Sequence, residues 1–216
     1  MNILNQYKKI IKNIEDYTYN FPINLIVVTK GRSLADIQKI INLGHIHFGE
    51  NRVQESVNKW KDILNLNVNI KLHFIGKLQT NKVADAISNF SFIHSLDNDK
   101  LALKISLEEK KLKKTLSYFI QVNLGEENQK SGILKKDLPK FVNYCKNDLK
   151  LNIIGLMCIP PINGDSDKYF KELRQLAINN NLKELSMGMS HDYILAIKNG
   201  STFIRIGSAI FEEKFN

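Results

Sequence analysis

The chain is poor in the residues that would place it in several functional classes. It has two cysteines, Cys145 and Cys158, with no CxxC spacing between them. That argues against a disulfide framework or a cysteine-held metal, and both read as small reduced hydrophobes. No apolar run approaches the roughly 20 residues of a membrane-spanning helix. The first residues, 1–20, mix lysines with Glu15 and Asp16 and have no compact apolar centre. Neither a secretory signal nor an Arg-rich transit peptide is read there. His45, His47 and His94 lack metal-ligand spacing. No internal repeat, linker or low-complexity stretch breaks the sequence. The expectation is one soluble, cytoplasmic domain over 1–216, without metal or membrane contact.

Apolar residues make up 43% of the chain, enough for a real core. The net charge is +9. The basic residues are dispersed, and the densest run, Lys110–Lys114, reads as a solvated helix face. Polynucleotide binding would need a massed patch and is not expected. A small phosphate-bearing ligand would suit a basic protein, but net charge does not decide it.

The pattern along the chain alternates. Ile3, Leu4, Tyr7, Ile10, Ile11 and Ile14 recur at helical spacing, which predicts an amphipathic helix over 2–18. Eight strand–helix units follow. Strands are predicted at 23–29, 45–48, 70–75, 90–94, 116–123, 151–159, 184–187 and 202–206. Helices are predicted at 33–42, 51–64, 78–88, 97–111, 136–147, 166–179, 190–199 and 207–214. Ser33 is the expected N-cap of its helix with Asp36 at N3, Gly44 its stop, and the helix at 97 opens on an acidic cap. Strict alternation argues for a parallel sheet, and eight units fit a single α/β (β/α)8 TIM barrel with an extra N-terminal helix closing or flanking it. An open doubly wound sheet is the alternative, but Gly31-Arg32-Ser33 is no dinucleotide fingerprint.

In such a barrel the site lies at the carboxyl ends of the strands. Lys30 ends the apolar run Leu25–Thr29. There it either begins a solvated loop or holds an amine against an apolar wall, where desolvation would free it to attack a carbonyl. Gly188-Met189-Ser190 and Gly207-Ser208 each lead toward a predicted helix after strands seven and eight. They read as two phosphate cradles or as a simple N-cap and turn. Arg205 alternates with Ile204 and Ile206, so its head can enter the barrel mouth to meet a ring nitrogen or an anion, or it can pair across the rim. Asn51 is an N-cap, a ligand-facing amide, or both. Only one of His73 and Phe74 should face the interior, and His191-Asp192 reads as a capping pair.

Taken in order, Val27-Val28-Thr29-Lys30, His47–Glu55, His73–Lys82, Gly155-Leu156-Met157, Leu185–Asp192 and Arg205–Phe211 resemble the pyridoxal phosphate homeostasis proteins, also called proline-synthetase-co-transcribed proteins. The likeness runs from about residue 20 to 211. It implies a free-standing barrel of the alanine racemase N-terminal type, with pyridoxal 5′-phosphate as cofactor. Lys30 matches the lysine that forms the Schiff base. Ser190, Gly207 and Ser208 match the phosphate cradle, Arg205 the arginine near the pyridine nitrogen, and Asn51 a residue beside the ring. The family is believed to carry and buffer the cofactor without turnover, with apo-enzymes that use the cofactor as candidate recipients, as a monomer or weak dimer. A racemase using the same cofactor is the rival. It would need acid–base groups on two faces of Cα, and the sequence offers a candidate for one. Racemases of this fold take the second from a further domain, for which a chain ending at Asn216 is expected to have no room. Three departures stand out. Gly31-Arg32 replaces a Thr-basic pair, which predicts a looser loop. Glu212 replaces a glycine, and Ser208 replaces a threonine. Lys130, in the loop 126–132, reads as a mobile surface lysine.

Overall fold

The computed structural model describes residues 2–17, 22–66, 69–127, 129–161 and 164–212. Eight parallel strands close into a barrel in chain order, β1 (Asn24–Val28), β2 (His47–Glu50), β3 (Lys71–Phe74), β4 (Phe92–Leu96), β5 (Ser117–Gln121), β6 (Ile153–Met157), β7 (Glu184–Ser186) and β8 (Phe203–Ile206). Closure comes from β1 against β8, with Ile26 opposite Arg205 and Val27 opposite Ile206. The expected (β/α)8 barrel is therefore the fold.

The helices are α1 (Ile3–Glu15), α2 (Leu34–Ile41), α3 (Val53–Leu66), α4 (Val83–Asn89), α5 (Asp99–Leu112), α6 (Leu138–Asn143), α7 (Ser166–Asn179), α8 (Tyr193–Lys198) and α9 (Ser208–Phe211). Side-chain caps set several starts. Ser33 accepts from the Asp36 N–H as expected, and Asp165 accepts from the first turn of α7. The acidic cap expected before α5 is instead Asn98, whose amide oxygen takes the Leu101 N–H. The helix expected over 136–147 is broken up. A 3-10 turn at Lys135–Asp137 leads to α6, which passes into a π-helical turn at Tyr144–Asp148. The N-terminal helix flanks the barrel, packing against α2 and α9. It buries Tyr7, Ile10 and Ile14, and its expected end at Thr18 lies outside the described residues. The same holds for the expected extension of the last helix to Lys214.

Period-2 alternation divides the core. Outward strand residues such as Val27, Phe74, Ile204 and Ile206 join the layer between barrel and helices. Inward ones form a second cluster of Ile26, Phe119, Met157 and Phe203. His73 faces inward, stacked on Phe92 with ring centroids 4.2 Å apart, while Phe74 meets Phe90 outside the barrel. Cys145 and Cys158 are buried and free, and burial pushes both thiols up to about 12, as suits inert core residues. Among the described residues no helix is long and apolar enough to cross a membrane. No group of three or more His, Cys, Asp or Glu side chains among them is placed to hold a metal ion.

Phe203 sits at the centre of the inner cluster, its ring 5.2 Å from Phe119 and 5.9 Å from both Phe92 and His73. Phe203→Ala should lower the unfolding free energy by about 3–5 kcal/mol. Urea denaturation at neutral pH measures this. A loss under about 1 kcal/mol would mean the inner cluster does not support the barrel.

Candidate functional site

The carboxyl ends of the strands surround a cavity of about 430 Å³. Its lining includes Lys30, Asn51, Ser190, Arg205, Gly207 and Ser208, together with Val28, Ile75, Met189, His191 and Glu212. All six candidate residues are thus brought together. A second cavity of about 470 Å³ shares Asn51 and is otherwise lined by Arg52, the start of α3, Phe74 and the segment after β3, with Lys77 and Lys82 among them. It contains none of the other five candidates.

Lys30 follows β1 and is exposed, as the solvated-loop alternative has it, while Val28, Ile75 and Met189 line the same cavity. What is buried is its anchorage. The fully buried Thr29 donates its hydroxyl to Glu50 Oε1 at 2.7 Å and its N–H to the Gly49 carbonyl at 2.9 Å. Glu50 Oε1 also accepts from Lys59 Nζ at 2.8 Å and Trp60 Nε1 at 3.0 Å. Lys59 Nζ reaches the Thr29 carbonyl too, at 2.9 Å. One ammonium therefore ties a buried carboxylate to the peptide joining Thr29 to Lys30. The turn continues through Gly31 at φ +66°, and the Arg32 N–H closes it on the Thr29 carbonyl at 3.1 Å.

The looser loop expected after Lys30 is not found. Arg32 pairs with Glu212 Oε1 at 2.6 Å and lies over the Phe211 ring. The two unusual positions answer each other across the cavity rim, joining the first loop to the last helix.

The two cradles are physically joined. Ser190 Oγ accepts the Ala209 N–H, in the first turn of α9, at 3.2 Å. Gly207 packs where an added Cβ would stand 3.2 Å from the Val28 carbonyl. The expected helix start at Ser190 is displaced to Tyr193. Gly188 takes φ +91°, and the Asp192 carboxylate turns back to the Met189 N–H at 2.6 Å. Asp192 stands at the N-cap position without capping the helix, and His191 is exposed beside it, its ring 3.4 Å from the carboxylate. Ser190 therefore belongs to a turn and is no N-cap.

Arg205 points inward, as alternation predicts, and is 5% exposed. Among the described residues it makes no rim ion pair. Nη1 donates to Ser186 Oγ at 2.8 Å and Nη2 to the Cys158 carbonyl at 3.0 Å. Burial disfavours its charge and lowers its pKa, though a guanidinium stays protonated in proteins. Below it His94, His73 and His47 are linked in series, with His47 Nδ1 2.9 Å from His73 Nε2 and His73 Nδ1 2.9 Å from His94 Nε2. Burial holds His73 and His94 well below the ordinary imidazole value, and His45 and His47 down at about 4.

Sequence reasoning missed Lys59 and the histidine series. Glu50 and Ser186 stand among the strand-end residues, but nothing local in the sequence gives either a role. Lys130 is half-buried and ion-paired to Glu127 at 2.7 Å, and it lines neither cavity above. Met157 lies in the barrel interior away from the cavity lining.

Comparison with known proteins gives one consistent picture. The family model for the alanine racemase N-terminal domain matches residues 7–214. A pyridoxal phosphate homeostasis protein of Synechocystis is 39% identical over 89% of this chain and 92% of its own length. One of Aquifex aeolicus is 38% identical over 82% and 81%. The solved structure of PipY from Synechococcus elongatus with PLP bound superposes with a TM-score of 0.83 at 32% identity, covering 93% of this chain and 98% of PipY.

Two outcomes follow from the buried groups. Lys59→Met strands the Glu50 carboxylate and should lower stability by about 3 kcal/mol, with Glu50→Gln added in the same chain recovering part of the loss. Equal losses in single and double variants by urea denaturation would rule out the coupling. The histidines set an acid dependence. Unfolded imidazoles take protons below about pH 6.5, while the folded ones resist until much lower, so the unfolded state binds more protons and stability drops as pH falls. Each histidine should contribute about 1.4 kcal/mol per pH unit across that window. A flat urea midpoint between pH 6.5 and 5 would contradict the buried neutral state.

Proposed function

The chain belongs to the pyridoxal phosphate homeostasis family, built on the alanine racemase N-terminal domain, and from that premise we propose that it holds pyridoxal 5′-phosphate in the barrel mouth as a Schiff base on Lys30. The observation that carries the reading is the single cavity in which Lys30, two joined Gly-Ser loops and a buried arginine converge. Its volume suits a small cofactor.

The residues fit the group. Bound, the cofactor supplies an aldehyde, which a lysine amine takes up as a Schiff base with loss of water. Lys30 offers that amine from an anchored turn. Ser190, Gly207 and Ser208 offer hydroxyls and backbone N–H groups near the start of α9 for a phosphate. Asn51 would lie beside the ring, and Arg205 would offer a fixed positive donor to the pyridine nitrogen. A guanidinium there would disfavour a protonated ring, and an unprotonated ring is a weak electron sink for carbanion chemistry.

The protein accordingly keeps and buffers the cofactor in the cytoplasm without turnover, with cofactor-dependent apo-enzymes as recipients. Racemisation would need proton carriers on both faces of Cα.

Lys30→Ala should abolish the absorption band that appears when pyridoxal phosphate is added to the wild-type protein, with circular dichroism unchanged. The full band in that variant would remove Lys30 from its role. Deuterium uptake at Cα of alanine, followed by NMR with the loaded protein, should not exceed that of free cofactor. Exchange at catalytic rates would establish the racemase instead.

A further inference from the structure

The barrel interior carries a row of polar side chains that begins at Arg205 and whose other members the cofactor reading leaves unused. Arg205, Ser186, His94, His73 and His47 lie on β8, β7, β4, β3 and β2 and are bonded one to the next. Every member but His47 is buried, and the row runs from the cavity toward the amino ends of the strands. The rings are gripped: His73 stacks on Phe92, and His94 on Phe119 with centroids 4.3 Å apart.

The protons in this row can be placed. Arg205 Nη1 can only donate, so Ser186 Oγ accepts from it at 2.8 Å. The other neighbour of that oxygen is His94 Nδ1, also at 2.8 Å. Were Nδ1 the donor, the hydroxyl would accept twice and its own hydrogen would be left buried without a partner. The serine therefore gives its proton to Nδ1. His94 is neutral, so its hydrogen lies on Nε2 and goes to His73 Nδ1. His73 then donates from Nε2 to His47 Nδ1, and the Nε2–H of His47 points out of the series. Reversing any one ring would set two hydrogens or two lone pairs face to face. The charged groups around the row are Arg205 at one end and Lys71 at the other, with His45, Cys158 and Asp192 also acting on its members. The cations disfavour any added proton.

We infer that Ser186, His94, His73 and His47 form a one-way hydrogen-bond chain that positions Arg205, with every imidazole fixed as its Nε2–H tautomer. Ser186 is the positioning residue that turns the guanidinium toward the cavity, and the three histidines hold Ser186 as an acceptor toward Arg205. That this orients Arg205 for the cofactor rests on the reading above; the order of the protons does not.

The test begins with long-range 15N–1H NMR of the histidine rings in protein without added cofactor at pH 7. The expected result is three neutral Nε2–H rings for His47, His73 and His94. Nδ1–H tautomers at His73 and His94 would overturn the proposal. In Ser186→Ala the directing hydroxyl is gone, and both tautomers should appear at His94; a single unchanged Nε2–H form would show that Arg205 and Ser186 do not set the direction. Cofactor titration of the same variant should give about 5-fold weaker binding, the worth of one hydrogen bond, restored by Ser186→Thr. Unchanged affinity in Ser186→Ala would overturn the positioning role. Absence of binding by the wild-type protein would count against the proposed function and leave the tautomer result standing.

Discussion

Closure of the first strand on the last is the constraint from which the site follows. The register that sets Ile26 opposite Arg205 and Val27 opposite Ile206 brings residue 30 beside residues 207 and 208, almost the full chain apart in sequence. It also sets Val28 against Gly207, where a side chain's Cβ would stand 3.2 Å from the Val28 carbonyl and press on β1. A shift by one residue would turn Arg205 outward and Ile204 and Ile206 inward, exchanging a buried guanidinium for two apolar chains on every face at once.

Closure alone does not hold Lys30 still. Its side chain is exposed, and the rigidity comes from behind, where Thr29, Lys59 and Trp60 converge on Glu50. The arrangement anchors the peptide while leaving the amine accessible. Arg205 is treated in the opposite way: its side chain is buried and held by Ser186 and the Cys158 carbonyl. An accessible amine and a fixed cation in one cavity suit reversible covalent holding of an anionic aldehyde.

Much of this was legible in the sequence because it is written in short-range patterns. Alternation set Arg205 against its isoleucine neighbours and required His73 and Phe74 to part without saying which faces inward, and Ser33 marked its helix start. The six candidate residues could be found because each stands just after a strand or at its end. What was not legible depends on contacts between distant segments. Ser190 looks like an N-cap, yet the back-bond from Asp192 and the left-handed Gly188 delay the helix to Tyr193. Glu50 finds its cation one helix later, at Lys59. The histidines have no local spacing to connect them, because their proximity exists only once β2, β3 and β4 are in register. Arg32 and Glu212 read as separate departures until the barrel closes them into a pair.

The most direct measurement is borohydride reduction of the wild-type protein after addition of pyridoxal phosphate, followed by peptide mapping. Stable label on the peptide carrying Lys30, and on no other lysine in comparable yield, is the expected result. Label spread over other lysines such as the exposed Lys77 and the half-buried Lys82, with Lys30 no richer than the rest, would contradict the site.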